Sequence, residues 1–457
     1  MRAERRENPR DASSLTLRRK PDACRGNMGG SVRRVSPGRE SIPKMRYQTL
    51  YAELKNAMNY DADRIALGLG MRMRVRNFDF ESRLRHEFPE NVKVDGILAA
   101  VPEVSDREKE DIRNLIGVSD ADIGENLRFR YHMIIPDDRA QARNVIIMFH
   151  GFNEKLWHKY LPWATHLAAR TGYAVLLFPL AFHMNRAPKS WSDVRATSRV
   201  SKIRRGLHGS VIDSTLSNVA ISTRLHYRPE RFIWSGLESY YDVMDLVDSI
   251  RAGGHPAIEA EADIHFFSYS VGSFLGQTIM MTNKDGNFSQ SKYAMFCGGP
   301  VFNRLSPVSR FILDSEASVR LYSYLVEHLE SHMRDNRELR EVLDGDVEEG
   351  RNFRALLSYR SNLEYRENKL REVADRLYAV ALAKDEVVPP YEVVNTLRGS
   401  RQDIDIPVDV LDLPYAYRHE DPFPANGRQA YEVDTAFRTV FDRIAGFLTA
   451  PSTLTVY

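Results

Sequence analysis

Residues 265 to 273 read HFFSYSVGS, and Ser268, Ser270 and Ser273 each carry a hydroxyl that becomes a nucleophile once a neighbouring base takes its proton. The three are not equivalent. Where a strand turns sharply into a helix, the turn residue is strained and its side chain is lifted clear of the sheet, and the residues two before and two after it must be small because the two backbones converge there. Phe266 stands two before Ser268, and Val271 and Leu275 flank Ser273, so neither fits. Ser270 lies between Ser268 and Gly272, both small, and is the candidate nucleophile. A serine used this way needs an imidazole to accept its proton and a carboxylate to orient that imidazole.

Such a residue must stand on a sheet, and the chain is patterned for one. NLRFRYHMIIP (126 to 136) alternates like a strand, and VIIMF (145 to 149) is a short apolar run of the kind buried on both faces of a parallel sheet. A helical stretch follows over 156 to 170, then AVLLFPLAF (174 to 182) as a second buried strand. After a basic, Ser-rich excursion from about 184 to 233, a helix is predicted over 235 to 254, a strand at ADIHFFSYS (262 to 270) and a helix over 271 to 283. YAMFCGG (293 to 299), LYAVALA (377 to 383) and IPVDVLDL (406 to 413) are three more buried strands, and an amphipathic helix closes the pattern near 428 to 448. Strands alternating with helices give a doubly wound, mostly parallel α/β sheet. The expected organisation is a basic tail over 1–45, a helical N-terminal extension over 46–125, a core over 126–303 and 376–457, and a charged helical insertion over 304–375 across one end of the sheet.

HFFSYSVGS at this strand–helix junction resembles the nucleophile elbow of the α/β-hydrolase superfamily, with Ser268 where glycine is commonest. The resemblance covers roughly residues 126 to 447, with gaps at the two insertions, and implies the chain order nucleophile, acid, histidine. Asp385 follows LYAVALA in KDEVVPP, and His419 follows IPVDVLDL in PYAYRHEDPFP. Of thirteen histidines, His419 is the only one beyond His332. Glu386 could stand in as the acid, but the VVPP continuation favours Asp385. The resemblance further implies an oxyanion hole made by the Val271 N–H and, from the HGFN loop, the Phe152 N–H, with Gly151 giving the backbone room to turn. His150 is assigned to that turn as a structural residue. His183, at the end of the second strand, either lines the pocket or packs; packing is the plainer reading. The aromatic run FIWSGLESYY (232 to 241) reads as core.

Composition narrows the partners. A chain of 457 residues with 43% hydrophobic and 28% charged residues has ordinary globular composition, and it contains no apolar run long enough to span a membrane. Its two cysteines, Cys24 and Cys297, form no disulfide framework and no CxxC pair, which fits a cytoplasmic protein. Residues 1 to 45 carry ten Arg and two Lys against five Asp or Glu, a net of +7 that leaves the other 412 residues at −5. That tail has no apolar periodicity and reads as disordered, or as untranslated if Met45 is the initiator; a nucleic-acid role would rest on it alone. No Walker loop, HExxH or GxGxxG is present, so no cofactor or metal is implied. The expectation is a serine hydrolase with a helical lid, cleaving a carboxylic ester of a small molecule through an acyl-enzyme. An acyltransferase or amidase on the same triad, or an idle hydrolase fold used for binding, stands as the alternative.

Overall fold

The computed structural model describes residues 46–67, 73–83, 105–136 and 140–451; the expectations for the tail and for much of 84–104 lie outside these. Nine strands form one sheet: β1 (Arg64–Leu67), β2 (Met73–Glu81), β3 (Arg128–Ile135), β4 (Ala142–Phe149), β5 (Ala174–Leu177), β6 (Ile258–Tyr269), β7 (Tyr293–Phe296), β8 (Leu377–Leu382) and β9 (Val408–Leu411). Their order is β1-β2-β3-β5-β4-β6-β7-β8-β9. The first three strands run antiparallel to their neighbours, and all pairings from β5 to β9 are parallel. This is the α/β-hydrolase fold.

The parallel strands are apolar on both sides because helices cover both. Along β4, Val145, Ile147 and Phe149 enter one core with the helices Arg231–Arg251 and Gly272–Thr282. Ile146 and Met148 enter the opposite core with Tyr47–Ala57, Tyr160–Thr171 and Ala430–Thr449. On that second side Trp163 is fully buried, with the rings of Tyr160, Tyr269 and Phe441 at 5.0, 5.2 and 5.3 Å.

Two expectations need correction. The 46–125 segment is not simply a helical extension, and the core does not begin at 126. Tyr47, Leu50 and Leu54 are core residues, and β1 and β2 extend the sheet. MRVRNFDFE alternates with period two, but its charges mask the strand; on the sheet those charges face partners on β3, with Arg130 Nε 2.7 Å from Asp79 and Arg128 Nη2 3.2 Å from Glu81. The apolar run 174–182 is a strand only to Leu177. Pro179 has no N–H to give a ladder, and Phe182 and Met184 take positive φ as the chain leaves the sheet. The 184–233 excursion contains two helices, Val194–Leu207 and Val219–Tyr227. The 304–375 segment contains five α-helices, from Ser315–Tyr322 to Leu363–Glu372. It is tied to the excursion by Arg204 Nη2 donating to Asp314 Oδ1 at 2.8 Å and by the Asp314 N–H donating to Ser222 Oγ at 3.1 Å.

Several histidines among the described residues are folded in as neutral rings. Burial lowers the pKa of His132 to about 3 and of His183, His255 and His265 to about 4. The His265 ring accepts the Lys292 N–H, and the His255 ring accepts that of Ala257. Since each folded pKa lies below the unfolded value near 6.5, their contribution is complete above that pH and is lost as the pH falls towards 4. Each is expected to lower stability by about 1.4 kcal/mol per pH unit over that window. Urea unfolding midpoints at pH 7.5 and 5.0 check this, and equal midpoints contradict it. Trp163→Ala should cost about 3–5 kcal/mol in the same assay at neutral pH.

Candidate active site

β4 and β6 are neighbours although β5 lies between them in sequence, on the other side of β4, so the sheet changes its winding direction between them. The carboxyl ends of strands flanking such a point open onto a crevice. HGFN follows β4 there, and Ser270 follows β6.

Ser270 has φ +55°, left-handed backbone that costs a residue with a Cβ about 1–3 kcal/mol. Its surroundings enforce that turn. The helix Gly272–Thr282 starts two residues on, and a Cβ on Gly272 would lie 2.8 Å from both the His150 carbonyl oxygen and the Phe149 Cβ. The other two serines are occupied elsewhere. Ser268 Oγ is buried 2.6 Å from the Tyr293 hydroxyl, and Ser273 Oγ accepts the Gly299 N–H at 3.0 Å.

Asp385 follows β8 and is buried, whereas the neighbouring Glu386 is exposed. The VVPP continuation fixes the carboxylate: the N–H groups of Val387 and Val388 donate to Oδ1 at 3.0 and 2.9 Å, leaving Oδ2 to face His419 Nδ1 at 2.8 Å. His419 Nε2 lies 2.8 Å from Ser270 Oγ. A carboxylate acceptor at Nδ1 assigns the proton to that nitrogen and leaves the Nε2 lone pair for the serine hydroxyl. The His419 ring lies flat against Tyr269, with centroids 5.2 Å apart and planes at 16°, and its carbonyl accepts the Tyr269 hydroxyl. Its loop is held by Lys159 Nζ donating to the Glu420 carbonyl at 2.9 Å. The structure thus brings Ser270, His419 and Asp385 into one hydrogen-bonded line. Such a line can remove the serine proton as the oxygen attacks, and hold the charge that results.

The loop after β4 is clamped on both sides. The Gly151 N–H donates to the Tyr160 hydroxyl at 2.8 Å, and the Gly151 carbonyl accepts from His150 Nδ1 at 2.7 Å. His150 Nε2 accepts the Leu180 N–H at 3.0 Å, so this neutral, buried ring ties the loop after β4 to the one after β5. Among the described residues, neither the Phe152 N–H nor the Val271 N–H donates to a protein acceptor. A cavity of about 30 Å³ adjoins Ser270, walled by Phe152, Val271, Phe232, Ile312, Leu321 and Val388. Phe232 therefore both packs in the core and faces this cavity. An open cleft of about 750 Å³ shares Phe152 and Ile312 with it. Another hollow, about 760 Å³ beside β2 and β3, is lined by neither Ser270 nor Phe152.

His183 is buried, with its ring 5.2 Å from that of Phe152, and it faces a second small cavity instead of Ser270. Sequence reasoning missed Cys297. It ends β7 at φ +47°, and its sulfur lies within 4.8 Å of ligand atoms of Asp385 and His419. These three form a possible metal-holding group, but Asp385 and His419 are engaged with each other, and burial pushes the Cys297 thiol well up, which keeps it protonated. Only the adjacency of β7 and β8 brings Cys297 there, and nothing in YAMFCGG signals it.

Among the described residues, no helix is long and apolar enough to cross a membrane. No match is found among curated proteins. Among solved structures, the esterase Est22 is 12% identical with a TM-score of 0.41, covering 88% of this chain and 87% of its own. Carboxyl esterase 2 from Tuber melanosporum is 11% identical at 0.39, covering 70% and 81%. The peroxisomal α/β-hydrolase Lpx1 from Saccharomyces cerevisiae is 13% identical at 0.37, covering 84% and 94%. At these TM-scores the strand order itself carries the fold class. Residues 45–449 match a family of unknown function (DUF6051), and the chain belongs to that family.

Proposed function

We propose that this protein is a serine hydrolase that cleaves a carboxylic ester of a small molecule through an acyl-enzyme intermediate. The observation that carries the reading is the unbroken line from Asp385 Oδ2 through His419 to Ser270 Oγ, with 2.8 Å at each step, on a strained strand–helix turn. Ser270 Oγ attacks the ester carbonyl as His419 Nε2 takes its proton, and Asp385 balances the imidazolium. The developing oxyanion is met by the N–H groups of Phe152 and Val271, each such donor being worth about 2.7–4 kcal/mol. His419 returns its proton to the departing alcohol. Water, deprotonated by the same ring, then releases the acid and restores Ser270. The 304–375 insertion acts as the lid: Leu305, Pro307, Ile312, Leu313 and Leu321 line the cavity beside Ser270 and make it apolar. A cytoplasmic setting belongs to this reading, consistent with the buried free thiol at Cys297.

The wild type should be labelled by a fluorophosphonate probe and should hydrolyse short p-nitrophenyl esters. Ser270→Ala should abolish labelling and lower kcat by roughly 10⁵- to 10⁶-fold. A wild type that neither labels nor turns over contradicts the proposal, and labelling that survives in Ser270→Ala assigns the chemistry to another residue. Labelling with acyl transfer to an added alcohol in place of hydrolysis would favour the acyltransferase alternative.

A further inference from the structure

Beside the Ser270 cavity lies a second one of about 40 Å³, space on the order of three waters. Phe152 and Phe232 line both, so the two cavities adjoin. The second cavity differs in charge. Arg224 and Arg231, on successive helices, are 3% and 4% exposed, and both turn to Asp120, which is 1% exposed. Arg231 Nε donates to Asp120 Oδ2 at 2.7 Å, and Arg224 is paired with the other carboxylate oxygen. Glu230, next in sequence, acts on Arg231 but also faces Arg228 at 3.6 Å, so counting both leaves the surplus unchanged. One carboxylate between two guanidiniums leaves one positive charge in the wall of this cavity.

The hydrogen-bond count leads to the same place. Arg224 Nη1 and both terminal nitrogens of Arg231 are buried without an acceptor among the described residues. A buried ion lacking a counter-charge is costly, and each charged donor left unmet adds to that cost. The arrangement is nonetheless held in place, since the Arg224 guanidinium lies 4.7 Å above the Trp191 ring. Burial lowers the Arg231 pKa to about 10 and holds that of Arg224 well below its usual value, but a guanidinium keeps its proton in a protein, so both count as charged. A planar, singly charged ligand with two acceptor oxygens supplies both what the charge count and what the donor count lack.

Resting on the hydrolase reading above, we propose that this cavity is a carboxylate-binding subsite, and that the preferred substrate is an ester bearing a free carboxylate held by Arg224 and Arg231. The carboxylate belongs to the acyl half or the alcohol half, and substrates can distinguish these.

Two matched series test it on the full chain. p-Nitrophenyl hemiesters of four- to eight-carbon dicarboxylic acids carry the charge on the acyl side, and acyl esters of hydroxybenzoic acid carry it on the alcohol side. Each is compared with its methyl-capped neutral counterpart. In one series the wild type should prefer the anion by about 10- to 100-fold in kcat/KM, the range for a hydrogen bond to a charged group. That ratio should fall towards one in Arg231→Gln, with the melting temperature confirming that the variant is folded. Wild-type ratios near one in both series, or a ratio that survives in Arg231→Gln, overturn the subsite. Should Arg231→Gln not fold, Arg231→Lys, which keeps the charge but not the fork, should lower the ratio; an unchanged ratio overturns the proposal. A wild type inert towards every ester removes the hydrolase reading instead. The subsite is then judged by whether glutarate, but not neutral glutaramide, raises the wild-type melting temperature; no difference overturns it.

Discussion

The turn at Ser270 is the constraint on which the rest of this site depends. A side chain held at φ +55° can be lifted out of the sheet only if the following helix starts at once, and it can start at once only because Gly272 leaves the space that a Cβ would take from Phe149 and His150. This contact joins the elbow to the end of β4. The same approach that strains Ser270 therefore brings the HGFN loop beside it, with the Phe152 and Val271 N–H groups donating to no acceptor among the described residues. The two cores balance the local cost: β4 and β6 are buried on both faces, and the turn cannot relax without disturbing the strands that carry it.

Around that turn, each polar group is oriented by a neighbour that has no chemistry of its own. Val387 and Val388 aim Asp385 through backbone N–H groups, Tyr269 supports the His419 ring, and Tyr160 and His150 hold Gly151 on its two sides. The excursion and the insertion, which interrupt the sheet pattern in sequence, meet above the same loop. Asn153 Nδ2 donates both to the Ser217 carbonyl at 2.9 Å and to the Phe311 carbonyl at 2.6 Å. One excursion thus contributes charge to the second cavity, the insertion contributes apolar surface to the first, and Phe152 borders both.

Much of this was legible without coordinates, for a physical reason. A strand buried on both faces is a short continuous apolar run, and the loop at its carboxyl end opens onto the crevice; Ser270, Asp385 and His419 each lie within a few residues of such an end. Elements whose signal is not apolar are hard to read from sequence. β2 is an edge-region strand whose acidic residues Asp79 and Glu81 are matched by arginines on β3, and the excursion helices carry Ser and Arg on faces that are buried by partners far away in sequence. His183 was weighed as a pocket residue, but which cavity it faces depends on the course of 178–186 after the strand ends early.

By itself the sequence determined the parallel sheet, the sharp turn that only Ser270 can occupy, and the acid and histidine that follow it in order, because these depend on local sterics and on the periodicity of burial. Tertiary structure alone decided that Cys297 lies against Asp385, that the helix Tyr47–Ala57 and strands β1 and β2 belong to the core, and that Asp120, Arg224 and Arg231 share one cavity wall. Charge balance in a buried cluster is a sum over residues that only the fold brings together. A guanidinium with one carboxylate for company looks no different in sequence from one with two.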